Sequence, residues 1–147
     1  MFAPKNILVP TDFSEHSDRA LKQAIDLASR FNAKVYLLHV IEDLQQCAVD
    51  YCLSENVMEG YRAQSQQATA EKLGQEVKAI GEAKGVEVVF DIKRGVPYET
   101  ILREQEDKGI DLIVIASHGK TGLLHNLLGG VAERVVRAAK CQVLLVK

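Results

Sequence analysis

Residues 116–122 read Ala-Ser-His-Gly-Lys-Thr-Gly, and the Gly119-Lys120-Thr121 step inside them is the closing piece of a Walker A phosphate loop. In that loop successive backbone N–H groups wrap a β-phosphate while the lysine reaches over it, which requires a further glycine five positions before the Gly-Lys pair. That position is Val114, inside an apolar run, so a phosphate here needs other donors. Gly129-Gly130 can supply them. Two glycines at a helix start leave N–H groups facing outward with the positive end of the helix dipole behind them, and Gly119 permits a close or φ > 0 approach of the preceding backbone. Lys120 adds a point charge, and Thr11, Asp12 and Ser117 offer polar groups for a ribose or a base edge. Each residue also has a plainer reading. The glycines let a helix pack closely, Lys120 is a solvated loop lysine, and Asp12 caps a turn. His118 stiffens the loop, since no carboxylate or nucleophile stands at a diagnostic spacing from it.

The elements that must hold these residues are legible as five short runs rich in Val, Ile and Leu: Asn6 to Val9, Lys34 to Val40, Val86 to Ile92, Asp111 to Ile115 and Gln142 to Val146. Their nearly continuous apolar character suits strands covered on both faces. Between them lie helical stretches. Ser14 to Phe31 puts Ala20, Leu21, Ala24, Ile25, Leu27 and Ala28 on one stripe, with Ser14 as N-cap and Asn32 just past the end. A long second helix begins near Asn56 to Glu59 and runs to about Lys84, stopping at Gly85, with Gly74 and Gly81 as local weak points. Pro97 opens a third helix that Gly109 ends, and a fourth follows Gly129-Gly130 to about Lys140. Strands and helices thus alternate, which predicts a parallel α/β sandwich with helices on both faces. In such a sheet ligands bind beyond the carboxyl ends of the strands, where the strand order reverses. The candidate segments are Pro10-Thr11-Asp12, Val40-Ile41-Glu42, Arg94-Gly95-Val96-Pro97 and Ala116-Ser117-His118-Gly119. The stretch from Ile41 to Val57 is longer than an ordinary connection, and we expect it to flank the site.

The chain has 147 residues, 47% apolar and 26% charged, with a net charge of -2, which suits one domain over residues 1–147 with a real hydrophobic core. That charge predicts no strong attraction to nucleic acid or anionic lipid. No apolar run reaches membrane-spanning length, and the first residues lead into a strand without a signal-peptide pattern, so a cytoplasmic location is expected. Cys47, Cys52 and Cys141 form neither an even disulfide set nor a zinc spacing and are expected to be reduced thiols; a redox pair of Cys47 and Cys52 is the rival reading.

Taken together, Ile7-Leu8-Val9-Pro10-Thr11-Asp12-Phe13-Ser14, Leu38-His39-Val40, Ser117-His118-Gly119-Lys120 and Leu127-Leu128-Gly129-Gly130-Val131-Ala132-Glu133 resemble the universal stress protein family over essentially the whole chain. The resemblance implies an adenine nucleotide alpha hydrolase-like fold: a three-layer doubly wound sandwich whose five-stranded parallel sheet has the order 3-2-1-4-5, with four helices. It also implies a homodimer through the last strand, Gln142 to Val146, and, in one branch, an ATP site with the pattern Gly-x2-Gly-x9-Gly-Ser/Thr. That pattern falls here on Ala116, Gly119, Gly129 and Gly130. Two positions depart: Ala116 adds a methyl near the ribose or phosphate, and Gly130 lacks the hydroxyl that would meet a terminal phosphate. The resemblance further implies that Asp12 and Val40 hold the adenosine half and that the Val131 N–H helps with phosphate. The implied site is therefore Pro10, Thr11, Asp12, Val40, Ala116, Ser117, His118, Gly119, Lys120, Gly129, Gly130 and Val131. Its ligand is ATP, ADP or AMP, with Mg2+ as a companion of the phosphates and the metal ligands unassigned.

The leading expectation is a stress-response protein that binds an adenine nucleotide and acts as a nucleotide-dependent regulator. Two others use the same residues. One is slow ATP hydrolysis, for which no water-activating base is evident. The other is a nucleotide-free dimeric module that recruits an unidentified protein partner, a reading favoured by the departures at Ala116 and Gly130.

Overall fold

Ile7, Leu8 and Val9 are fully buried, which places the first strand, β1 (Asn6–Pro10), in the middle of the sheet with a helical layer on each face. The computed structural model describes residues 1–42, 52–118 and 128–147, with backbone alone for 52–65. Its element order is β1, α1 (Glu15–Phe31), β2 (Lys34–Glu42), α2 (Cys52–Ala83), β3 (Val88–Gly95), α3 (Pro97–Asp107), β4 (Leu112–Ala116), α4 (Gly130–Ala138) and β5 (Gln142–Val146). All strand pairs are parallel and the sheet order is β3-β2-β1-β4-β5, so the order reverses between β1 and β4.

Side chains on a strand alternate between faces, and the core divides accordingly. Ile7, Val9, Val35, Leu37 and Val114 pack on the face covered by α1, with Ala20, Ala24 and Ile25. Leu8, Leu38, Ile113 and Ile115 pack on the opposite face against Ile101 of α3 and Ala132 and Val135 of α4. This is the expected three-layer arrangement. Among the described residues no helix is long and apolar enough to cross a membrane.

Caps fix the ends of α1 as the sequence indicates. The Ser14 hydroxyl accepts from the Ser17 N–H, and Asn32 takes the left-handed conformation with φ 55. Elsewhere the bounds shift. β3 starts at Val88 rather than Val86, because Val86 closes the end of α2: its N–H donates to the Gly81 carbonyl while Gly85, at φ 75, donates to Glu82. This is a Schellman ending, and the buried Val86 is its apolar contact. At their carboxyl ends β2 and β3 run on to Glu42 and Gly95, paired to the last residue. α2 begins at Cys52, so the expected long connection from Ile41 to Val57 is strand at one end and helix at the other, with 43–51 outside the described residues.

Gly74 and Gly81 lie on the side of α2 that meets β3. A Cβ at Gly74 would stand 1.9 Å from Cε1 of Phe90, and one at Gly81 2.3 Å from Cγ2 of Val88. They are points of close approach, and the helix continues through both.

Candidate functional site

The turn from β1 to α1 is built by short-range hydrogen bonds. The Thr11 N–H donates to the Leu38 carbonyl at 2.9 Å, continuing the ladder to β2 one residue beyond β1. Its hydroxyl oxygen accepts from the Phe13 N–H at 3.0 Å and lies 3.1 Å from the Ser17 hydroxyl. Asp12 Oδ1 accepts from the Ser14 N–H at 2.9 Å, so the carboxylate shapes the turn just before the N-cap. Phe13 takes φ 60, a left-handed conformation that is costly for a bulky residue. Its ring is held 4.9 Å from His39 and 6.4 Å, edge-on, from Phe90. His39 Nδ1 lies 2.8 Å from the Thr11 carbonyl, which can only accept, so Nδ1 carries the proton and β2 clamps the turn.

At the carboxyl end of β4, Ser117 joins three elements. Its N–H donates to the Val146 carbonyl at 2.8 Å, its carbonyl accepts from the Gly129 N–H at 2.7 Å, and its hydroxyl lies 2.9 Å from His118 Nδ1. Ser117 thereby fixes where α4 starts. Among the described residues the buried His118 Nε2 has no hydrogen-bond partner, and the His118 ring centroid lies 6.0 Å from that of His16.

The first glycine of the pair is thus already engaged, and Gly129 is the N-cap residue, with φ -59. The outward-facing N–H groups start one residue later. Gly130, Val131 and Ala132 occupy the first three helical positions, whose N–H groups have no partner within the helix. Among the described residues nothing stands within 4 Å of where a Cβ on Gly130 would lie.

These loops enclose a cavity of about 720 Å3 at the carboxyl ends of the strands. Pro10, Thr11 and Asp12 line one side, and Val40 stands at the end of β2. Ala116, Ser117 and His118 come from β4, and Gly129, Gly130 and Val131 from α4. Gly119 and Lys120 lie outside the described residues. Sequence reasoning missed one wall altogether: Gln66, Thr69, Ala70 and Leu73 of α2. Their spacing of three, four and seven puts them on one helical face, but α2 has no clear apolar stripe to tell that face from the others. Phe13, Ser17, His39 and Ile101 also line the cavity, and His39 in particular reads in sequence as an ordinary strand-end histidine.

Among the described residues no group of three or more His, Cys, Asp or Glu is placed to hold a metal ion. Cys141 is half-buried, and burial raises its thiol above the usual range, which keeps it protonated near neutrality. Cys47 lies outside the described residues, as does the side chain of Cys52.

The sheet order, the loops gathered at its reversal point and the glycine-led α4 invite comparison with known proteins. The model of the universal stress protein family matches residues 4–147. Universal stress protein MJ0531 of Methanocaldococcus jannaschii is 39% identical over 144 residues, covering 97% of this chain and 82% of that protein. The solved structure of MJ0577, from the same organism, superposes with a TM-score of 0.83 at 35% identity, covering 99% of this chain and 97% of that one. A solved universal stress protein in complex with cAMP shares the fold, with a TM-score of 0.71 at 23% identity over 99% of this chain and 98% of that one. Matches over nearly the whole length, in sequence as well as in fold, settle the kinship: the chain belongs to the universal stress protein family.

Proposed function

We propose that the chain acts as one universal stress protein domain that binds an adenine nucleotide in this cavity and serves in the cytoplasm as a nucleotide-dependent regulator of the stress response. The observation that carries the reading is the start of α4. Open N–H groups at Gly130, Val131 and Ala132 stand on the same cavity as Asp12 and Val40, which suits phosphates at one end and adenosine at the other. A cavity of about 720 Å3 falls within the range that encloses most of a small ligand. The protein of this fold solved in complex with cAMP supports the ligand class. Gly119 and Lys120 complete the phosphate end in this reading, and Mg2+ enters with the phosphates.

Thermal unfolding with ATP, ADP, AMP and cAMP at millimolar concentration and Mg2+ tests the reading. A ligand at a hundredfold excess over its Kd adds about 2.7 kcal/mol, a rise of several degrees in Tm. No rise with any of the four would sink the proposal. The same titration on Gly130→Ser tests the phosphate preference. Among the described residues nothing lies within 4 Å of a Cβ at residue 130, which leaves room for the hydroxyl, and one hydrogen bond to a charged phosphate is expected to raise the preference for ATP over AMP about tenfold. An unchanged ratio would mean that residue 130 does not meet the terminal phosphate.

We further propose that the protein is a homodimer through β5. Among the described residues β5 is the outer strand, hydrogen-bonded to β4 alone in the sheet, and Leu145 on it is 37% exposed. An open edge of this kind invites pairing. Sedimentation is expected to give twice the chain mass, and a monomer mass at every concentration would count against the dimer.

A further inference from the structure

We propose that the protein takes nucleotides carrying a second nucleoside beyond their phosphates, dinucleoside polyphosphates, with that second nucleoside seated in a smaller hollow beside the main cavity. The inference rests on the nucleotide reading above and adds a subsite to it. The hollow measures about 230 Å3, shares Glu42, Pro97, Gly130 and Val131 with the main cavity, and adds Val96, Tyr98 and Arg134. Its volume is below that of a free-standing ligand site, so it acts as an annex to its larger neighbour.

The lining has the chemistry a nucleoside needs. Val96 is 45% exposed and Val131 38% exposed, an unusual placement for two valines on a polar rim and a ready apolar floor. The Arg134 guanidinium lies 4.8 Å from the centroid of the Tyr98 ring. A planar cation stacked on an aromatic ring presents its other face to a further flat group, and purines stack on such platforms without sequence-like selectivity. Arg137 and Lys140 nearby are each paired with a glutamate, whereas among the described residues no ion pair engages Arg134. Glu42, at the end of β2, supplies an acceptor for ribose hydroxyls. Between the two hollows stands the start of α4, whose first N–H groups have no partner within the helix, with nothing among the described residues within 4 Å of where a Gly130 Cβ would lie. A polyphosphate lying across Gly130 would be held by those N–H groups while its two ends occupy the two hollows.

Calorimetric titration with adenosine tetraphosphate and diadenosine tetraphosphate separates the annex from the main site, because the two probes carry the same phosphates and differ by the second nucleoside. The parent protein is expected to bind the diadenosine form about tenfold tighter, the worth of one stacked base. Arg134→Gln, at an exposed position, is expected to abolish most of that preference while affecting adenosine tetraphosphate less. Tyr98→Leu, which keeps the apolar packing and removes the ring, is expected to do the same, with its Tm reporting that the fold is intact. Equal affinity for the two probes in the parent, or a preference that survives both substitutions, overturns the annex and leaves the nucleotide site standing. Binding of neither probe overturns the annex, and the thermal titration with the four mononucleotides then decides the nucleotide site by itself.

Discussion

Gly74→Ala is expected to destabilise the protein and to weaken nucleotide binding together, although the residue stands in the middle of a helix where alanine is ordinarily the better choice. At an exposed helical position the exchange would gain about 1 kcal/mol. Here the new methyl carbon would lie 1.9 Å from Cε1 of Phe90 and 2.2 Å from Cδ1, far inside contact distance. Overpacking of this kind costs about 1–3 kcal/mol, enough to outweigh the propensity gain. The phenyl ring has little room to yield, since it already meets the Phe13 ring edge-on. Phe13 holds a left-handed backbone within the turn that carries Thr11 and Asp12, so pressure on Phe90 is passed to the cavity wall. Urea denaturation is expected to show a loss of about 1–3 kcal/mol, and nucleotide titration a higher Kd. A variant as stable as its parent would show that α2 does not sit this close to β3.

Gly74 also shows where sequence reasoning reaches its limit. In the sequence it reads as a weak point in a helix because its partner, Phe90, lies on another element and no local pattern names it. Signals closed within a few residues were legible. Ser14 and Asn32 bound α1 because a capping side chain and a left-handed residue act on their own turn. The alternation of strands and helices was legible for the same reason, whereas the order 3-2-1-4-5 followed from the family resemblance. Val86 reads as strand, since an apolar residue before a Val-rich run does so, yet its N–H serves the helix before it. At the site, the strand-end rule located Pro10 to Asp12, Val40 and Ala116 to His118 from the loops alone. It could not show that Ser117 takes the Gly129 N–H and so moves the open donors to Gly130, Val131 and Ala132. Nor could it place Gln66, Thr69, Ala70 and Leu73 on the cavity, because α2 carries no clear apolar stripe to orient it.

The second large effect is expected at the ion pair that ties β3 to α3, and it is asymmetric. Lys93 Nζ pairs with Glu104 Oε1; the glutamate side chain is 3% exposed and the lysine side chain 36%. Lys93→Met leaves a carboxylate buried without its cation, a situation that costs about 3–5 kcal/mol. Glu104→Met leaves a lysine that can turn its ammonium to water, so its cost is smaller. The double variant is expected to lie closer to the parent than Lys93→Met does, since two apolar side chains replace a desolvated pair. The pH dependence follows from the same geometry. The Glu104 hydrogen bond, opposed by partial burial and aided by the charges of Glu104, Asp91 and Asp107, raises the Lys93 ammonium above its ordinary 10.5. A raised lysine stabilises the fold fully below its unfolded value and stops doing so as the pH climbs through its folded value. The parent is therefore expected to lose this contribution in strong alkali, while Glu104→Met has none to lose. Denaturation of the three variants across pH checks the sequence of effects, and equal costs for the two single changes would refute it. The pair also bears on the site. It holds α3 against β3 just beyond the turn at Gly95, where φ is 147, and Pro97, which opens α3, lines both the nucleotide cavity and its annex. Loosening that anchor is expected to weaken diadenosine tetraphosphate more than ATP, since the annex takes Val96 and Tyr98 from the same turn while the main cavity takes most of its lining from β2, α2, α4 and the loops after β1 and β4.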